Sequence, residues 1–192
     1  THGQYAKARQ WLLLLETLPF PNDCPQNTAF ELTIARARIG LITAQHAPRR
    51  SLLDHCERLA STAFQVQSVG VLLAEHQIRR GDIRSGLVTA LRCASPSVGP
   101  DPGAAIMALA VATKCRILLN QTRDARIQIE RAKNLLSQHP ILNLSFEILE
   151  LDAQICLREG NYLEALTRAD RAHQIAKEKG NLWQQGIAAG IK

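Results

Sequence analysis

Residues 144–180 read LSFEILELDAQICLREGNYLEALTRADRAHQIAKEKG, and this stretch decides the fold. Leu144, Ile148, Leu151 and Ile155 step by four, three and four, the spacing of one face of an α-helix. Leu149 and Cys156 form a second apolar stripe, so this helix is expected to be covered on two sides. Gly160-Asn161 then stops it, with Asn161 offering a cap to the next helix. That helix places Tyr162, Ala165, Ala169, Ala172 and Ala176 on one face, and such small residues let two helices approach closely. A pair covered on two sides, one partner lined with alanine, is the unit of a stacked array.

Working outward, the rest of the chain has the same punctuation. The eight prolines fall in four clusters, at Pro19, Pro21 and Pro25, at Pro48, at Pro96, Pro100 and Pro102, and at Pro140. Between them the sequence reads as helix broken by turns. Gly81-Asp82 and Gln121-Thr122 are read as stop-and-cap signals. Asp101-Pro102 is a cap followed by proline at the first helical position. Gly180-Asn181 opens a last helix containing Trp183. No stretch alternates at period two for long enough to make a sheet. The expected class is all-α.

Composition narrows the function. The 192 residues are 46% apolar and 21% charged, with only 4% aromatic, which suits a helical globular chain. The longest apolar run, 103–112, is about half of what a bilayer requires, so no membrane association is expected. Five cysteines lie far apart with no C-x-x-C pair, which argues against a disulfide framework or a zinc site and for a reducing compartment, the cytoplasm. The net charge of +6 is spread over the chain, and no basic run exceeds two residues. Dispersed charge of this kind reads as solvated helix faces and weighs against nucleic-acid binding.

Signs of catalysis are absent from the pattern. His55-Cys56 is the one Cys-His neighbour pair, but adjacent helical residues point about 100° apart. Glu147 and Glu150, one turn apart, read as a solvated face before a general acid and base. There is no G-x-S-x-G, Walker A loop, H-E-x-x-H or G-x-G-x-x-G. The chain is expected to be no enzyme and to hold no cofactor or metal.

The segment Gly160-Asn161-Tyr162-Leu163-Glu164-Ala165-Leu166, with Ala169, Ala172 and Ile175, resembles the second half of a tetratricopeptide repeat. In that family a small residue in helix A is followed by a turn, G-x-Y-x-E-A, and a second small residue seven positions on. Ala153, Ala165 and Ala172 match these places. Thr113, Ala125 and Ala132 repeat them, as do Ala74, Gly86 and Cys93. Leu53 and Ala60 are a degenerate version, and Gly3, Tyr5 and Ala8 match the turn and helix B alone. The anchors Ala8, Leu53, Gly86, Ala125 and Ala165 are 45, 33, 39 and 40 residues apart, against a family period of about 34. The longer spacing resembles the arrays of large bacterial signal-transduction activators.

The resemblance implies a right-handed α-solenoid of antiparallel helix pairs, with about nine to ten helices. It implies one array over 1–192, with repeats at 27–61, 63–95, 102–139 and 142–179 and partial repeats at 1–20 and 181–192. Because the array begins on a second helix and ends on a first, it is expected to be a segment of a larger protein. First helices line the concave side of such arrays, which places Arg38, Glu75, Met107, Lys114, Glu150 and Gln154 in the groove, with Ala110 and Ile117 beside them. A groove of this mixed character suits a protein or peptide partner. The family's carboxylate clamp is not matched, since Arg38 and Ile42, and Met107 and Val111, stand at its positions. The expected function is therefore a protein-interaction scaffold. The alternative is the sensor domain of a bacterial ATP-dependent transcription activator, taking a small-molecule inducer or an inhibitory protein.

Overall fold

A computed structural model describes Gln10 and residues 25–43, 50–95, 101–178, 180 and 182–191. These residues form nine α-helices and no strand: α1 (Gln26–Thr43), α2 (Arg50–Leu59), α3 (Ala63–Arg79), α4 (Ile83–Cys93), α5 (Pro102–Leu118), α6 (Thr122–Gln138), α7 (Leu142–Arg158), α8 (Tyr162–Glu178) and α9 (Leu182–Ile191). The partial repeat expected at 1–20, with Gly3, Tyr5 and Ala8, lies outside the described residues, apart from Gln10.

Three joints are built alike, and each has a physical reason. After α3, α5 and α7 the chain enters the left-handed region at Gly81, Asn120 and Gly160, with φ of 83°, 58° and 79°. Glycine and asparagine tolerate that region best. The following residue returns its N–H to the carbonyl five back: Asp82 to Gln77 at 2.9 Å, Gln121 to Arg116 at 2.8 Å and Asn161 to Cys156 at 2.9 Å. This closes the orphan carbonyls of the helix end in the manner of a Schellman cap. Asp82 and Asp101 then cap the next helices, accepting from the N–H of Ser85 at 3.2 Å and of Ala104 at 2.7 Å. Gln121 does not cap: its side chain accepts from Arg116 Nη1 instead, and Asn120 supplies the stop.

The start of α3 carries a cap that was not anticipated. Thr62 Oγ1 accepts from the N–H of Gln65 at 3.2 Å, and Gln65 Oε1 accepts from the N–H of Thr62 at 3.3 Å and of Ser61 at 2.8 Å. This is a capping box. Gln65 is buried, and its amide also donates to Asn27 Oδ1 of α1 at 2.7 Å, so the same residue ties α3 to α1.

Each helix packs on its neighbour in sequence. In addition α1 touches α3, α3 touches α5, α5 touches α7 and α7 touches α9. The odd-numbered helices thus form one continuous layer, while among the described residues no two even-numbered helices touch. Within α3 and α4, Gly86 lies against Ala74 and Ile78, while Cys93 reaches back to Gly70. A Cβ on Gly70 would sit inside the Cys93 sulfur, so glycine there sets the approach of the two helices.

Three apolar clusters follow from this order. Phe30, Ile34 and Ala37 of α1 pack with Leu53 and Cys56 of α2 and Val69, Leu72 and Leu73 of α3. The largest cluster runs from Val71 and Ala74 through Ile106, Leu109 and Ile129 to Ile148, Leu151 and Ile155. Phe146, Ala172, Ala176 and Ala188 close the end formed by α7, α8 and α9. Helix α7 contributes to two clusters, as its two apolar stripes require. Each fully buried Leu, Ile or Phe contributes about 1.5–3 kcal/mol.

The buried small residues are Ala125 and Ala132 in α6 and Ala165 and Ala172 in α8, all at most 1% exposed. Gly86 and Cys93 of α4 are also buried. Two expectations need correction. Tyr162 does not join the alanine face but stands 72% exposed at the start of α8. Ala60 is only half-buried and follows the end of α2, which has ten residues and stops before completing the pattern. Among the described residues no helix is long and apolar enough to cross a membrane.

Candidate functional site

The layer formed by α1, α3, α5 and α7 gathers charged side chains from all four helices. Lys114 of α5 acts on Glu75 of α3 and on Glu147 and Glu150 of α7, Glu147 acts on both other carboxylates, and Arg38 of α1 acts on Glu75. Glu75, Glu147 and Glu150 are half-buried, whereas Arg38 and Lys114 are exposed. Contact between alternate helices is what brings residues so distant in sequence together.

The electrostatics are uneven. Burial is the main cause that raises the pKa of Glu75, with the charge of Glu147 adding to it, while Lys114, Arg79 and Arg38 pull it down. Burial also raises Glu147, and Lys114 opposes it. Glu150 is raised by burial and by Glu147, against Lys114 and a hydrogen bond from Gln154. That bond runs from Gln154 Nε2 to Glu150 Oε1 at 2.9 Å. Lys114 is the one cation that acts on all three carboxylates. Among the described residues no ion pair or hydrogen bond joins it to any of them.

Of the residues expected to line the groove, Arg38, Glu75, Lys114, Glu150 and Gln154 thus fall together. Met107 is half-buried and packs against the large apolar cluster. Ala110 and Ile117, expected beside them, are 1% and 4% exposed and belong to the core. The side chain of Ile42 lies outside the described residues. Glu147 and Glu150, expected on a solvated face, are instead half-buried, and Arg79 was not among the expected residues. Glu147 sits one turn before Glu150 on the same face, and that spacing was the signal for it.

A second polar cluster lies between α6, α7 and α8. Asp152 of α7 is completely buried, yet three cations reach it: Arg126 Nη1 at 2.5 Å, Lys133 Nζ at 3.2 Å and Arg168 Nε at 3.0 Å. Arg126 also grips Glu159 through Nε at 3.2 Å and Nη2 at 2.5 Å, a fork matched to a carboxylate. The same Nη2 donates to Cys156 Sγ at 3.4 Å. Hydrogen bonding to Glu159, above all, raises the pKa of Arg126. Arg168 Nε and Asp152 Oδ2 lack a well-angled hydrogen bond despite their distance, so charge attraction holds that contact. Every member is engaged with another, which makes this cluster a joint between helices and leaves the odd-numbered layer as the candidate site.

Four of the five cysteines fall among the described residues. Cys56, Cys93, Cys115 and Cys156 are buried free thiols. Burial pushes Cys56 and Cys115 up to about 11 and raises Cys93 as well. His55, half-buried, faces Arg58 Nη2 at 3.4 Å, and Cys56 is in the core. Among the described residues no group of three His, Cys, Asp or Glu is placed to hold a metal ion. No protein-family model matches the chain, and no curated protein matches it.

Proposed function

We propose that the chain is a right-handed α-solenoid of antiparallel helix pairs of the tetratricopeptide type, and that it works as a protein-interaction scaffold in the cytoplasm rather than as an enzyme. The three matching joints after α3, α5 and α7 support the repeat, as do the buried small residues seven positions apart in α4, α6 and α8. The contacts of Gly86 with Ala74 and of Cys93 with Gly70 are those of two helices running back along each other.

One observation supports the binding role: α1, α3, α5 and α7 pool half-buried carboxylates and exposed cations that, among the described residues, form no ion pair with one another. Partly desolvated charge without a partner is costly in the free protein, and a ligand that supplies the partner removes that cost. Around Glu147 the carboxylates outnumber the single lysine. A segment bearing Lys or Arg therefore fits best, laid as an extended peptide or a helix along the odd-numbered layer.

Selection from a displayed random-peptide library with the full chain as bait tests this reading. Enriched peptides should carry basic residues, and their binding should weaken at least tenfold, or about 1.4 kcal/mol, in a Glu75→Lys/Glu147→Lys variant. Peptides that bind the variant equally well would refute it. A library that yields no binder would also count against a peptide scaffold and favour a small-molecule inducer in the same layer.

A further inference from the structure

His76 of α3 is 5% exposed, and among the described residues neither ring nitrogen has a hydrogen-bond partner. A neutral imidazole always carries one N–H, so the site already leaves a donor unsatisfied. The charged groups acting on the ring are Arg80, just past the end of α3, and Arg50, the first residue of α2. Asp54 of α2 is engaged with Arg50 at 2.8 Å. Among the described residues α1, α4 and α5, the other helices packed on α3, bring no charged group to act on the ring.

A proton added here therefore creates a third positive charge in a buried place that offers no acceptor. Burial first, then Arg80 and Arg50, accordingly lower the pKa of His76. Helix α3 is held by α1, α4 and α5 as well as by α2, and its interface with α2 is the least extensive between any two consecutive described helices. Release of α2 is the least costly way for water to reach the imidazolium.

We propose that His76 is a pH-sensitive lock between α2 and α3, closed while the ring is neutral and released when it is protonated. The sign follows from linkage. The unfolded or opened chain binds the proton more tightly than the closed one, so the closed form is fully stable above the ordinary histidine range. That stability is lost as pH falls through the ordinary value towards the lowered one. The lock is local: α6, α7 and α8 are joined by the Asp152 cluster, which involves no histidine.

Amide hydrogen exchange of the full chain at about pH 7.5 and about pH 5.5, each corrected for intrinsic exchange rates, tests the lock. Protection across 50–59 should fall several-fold at the lower pH, while 122–178 keeps its protection. In His76→Phe the acid loss across 50–59 should vanish. An equal loss in parent and variant would overturn the proposal, and so would no loss in the parent. Should the variant fail to fold, NMR titration of the parent's ring decides. Its midpoint must lie below that of a free imidazole, and the loss of protection must follow ring protonation. A ring that titrates at the ordinary value, or an opening that does not follow it, refutes the lock.

Discussion

Asp152 shows how a single residue can hold three helices. Its carboxylate is completely buried on α7 and is reached by Arg126 and Lys133 from α6 and by Arg168 from α8. A buried pair of this kind gains little over an apolar replacement of both partners, but removing one partner strands the others. Asp152→Ala is expected to cost about 3–5 kcal/mol in urea unfolding. Glu147 presents the opposite case, a half-buried carboxylate without an ion pair among the described residues. Its raised pKa means that folding is penalised once the unfolded carboxylate ionises, and the penalty is complete above the folded value. Glu147→Gln should therefore raise the melting temperature at neutral pH and leave it unchanged below the unfolded carboxylate range. A variant less stable than the parent at neutral pH would mean that Lys114 outweighs the burial.

At the scale of the element, local chemistry and close packing have separate effects. Removing the hydroxyl of the capping box by Thr62→Ala should cost about 1 kcal/mol, read by thermal or urea unfolding. The alanine face of α8 admits no larger side chain: Ala165→Leu or Ala172→Leu should overpack it and cost about 1–3 kcal/mol. Unchanged unfolding of either leucine variant would show that α8 packs through another face. The alanine face was legible because apolar and small residues recur at helical spacing over several turns. Tyr162 was misplaced because spacing alone cannot tell the last buried position of a stripe from the first exposed one at a helix end. The capping box at Thr62 and Gln65 was present in the sequence as Thr-x-x-Gln, but it stands in a region with no glycine or proline to draw attention to a boundary. Gln121-Thr122 reads as the joint after α5, but Asn120 makes the turn, and asparagine's tolerance of the left-handed region was a signal in the sequence for it.

For the molecule as a whole, the spacing of Arg38, Glu75, Lys114 and Glu150 along the chain was legible, and contacts between alternate helices bring their elements together. Their electrostatic state was not, since the degree of desolvation depends on how closely alternate helices approach. The same contacts separate two surfaces. The odd-numbered layer carries half-buried carboxylates without an ion pair among the described residues, and exposes Phe64 and Val66 of α3; α4 and α6 expose Val88 and Ile127, at 68% and 52%, and α8 exposes Tyr162, Leu163 and Leu166 together. The most direct test of the account is an NMR chemical-shift footprint of a selected basic peptide on the full chain. Perturbations should fall on the faces of α1, α3, α5 and α7 that bear Arg38, Glu75, Lys114 and Glu147. A footprint centred on Val88, Ile127 and Leu163 of the even-numbered helices would contradict it.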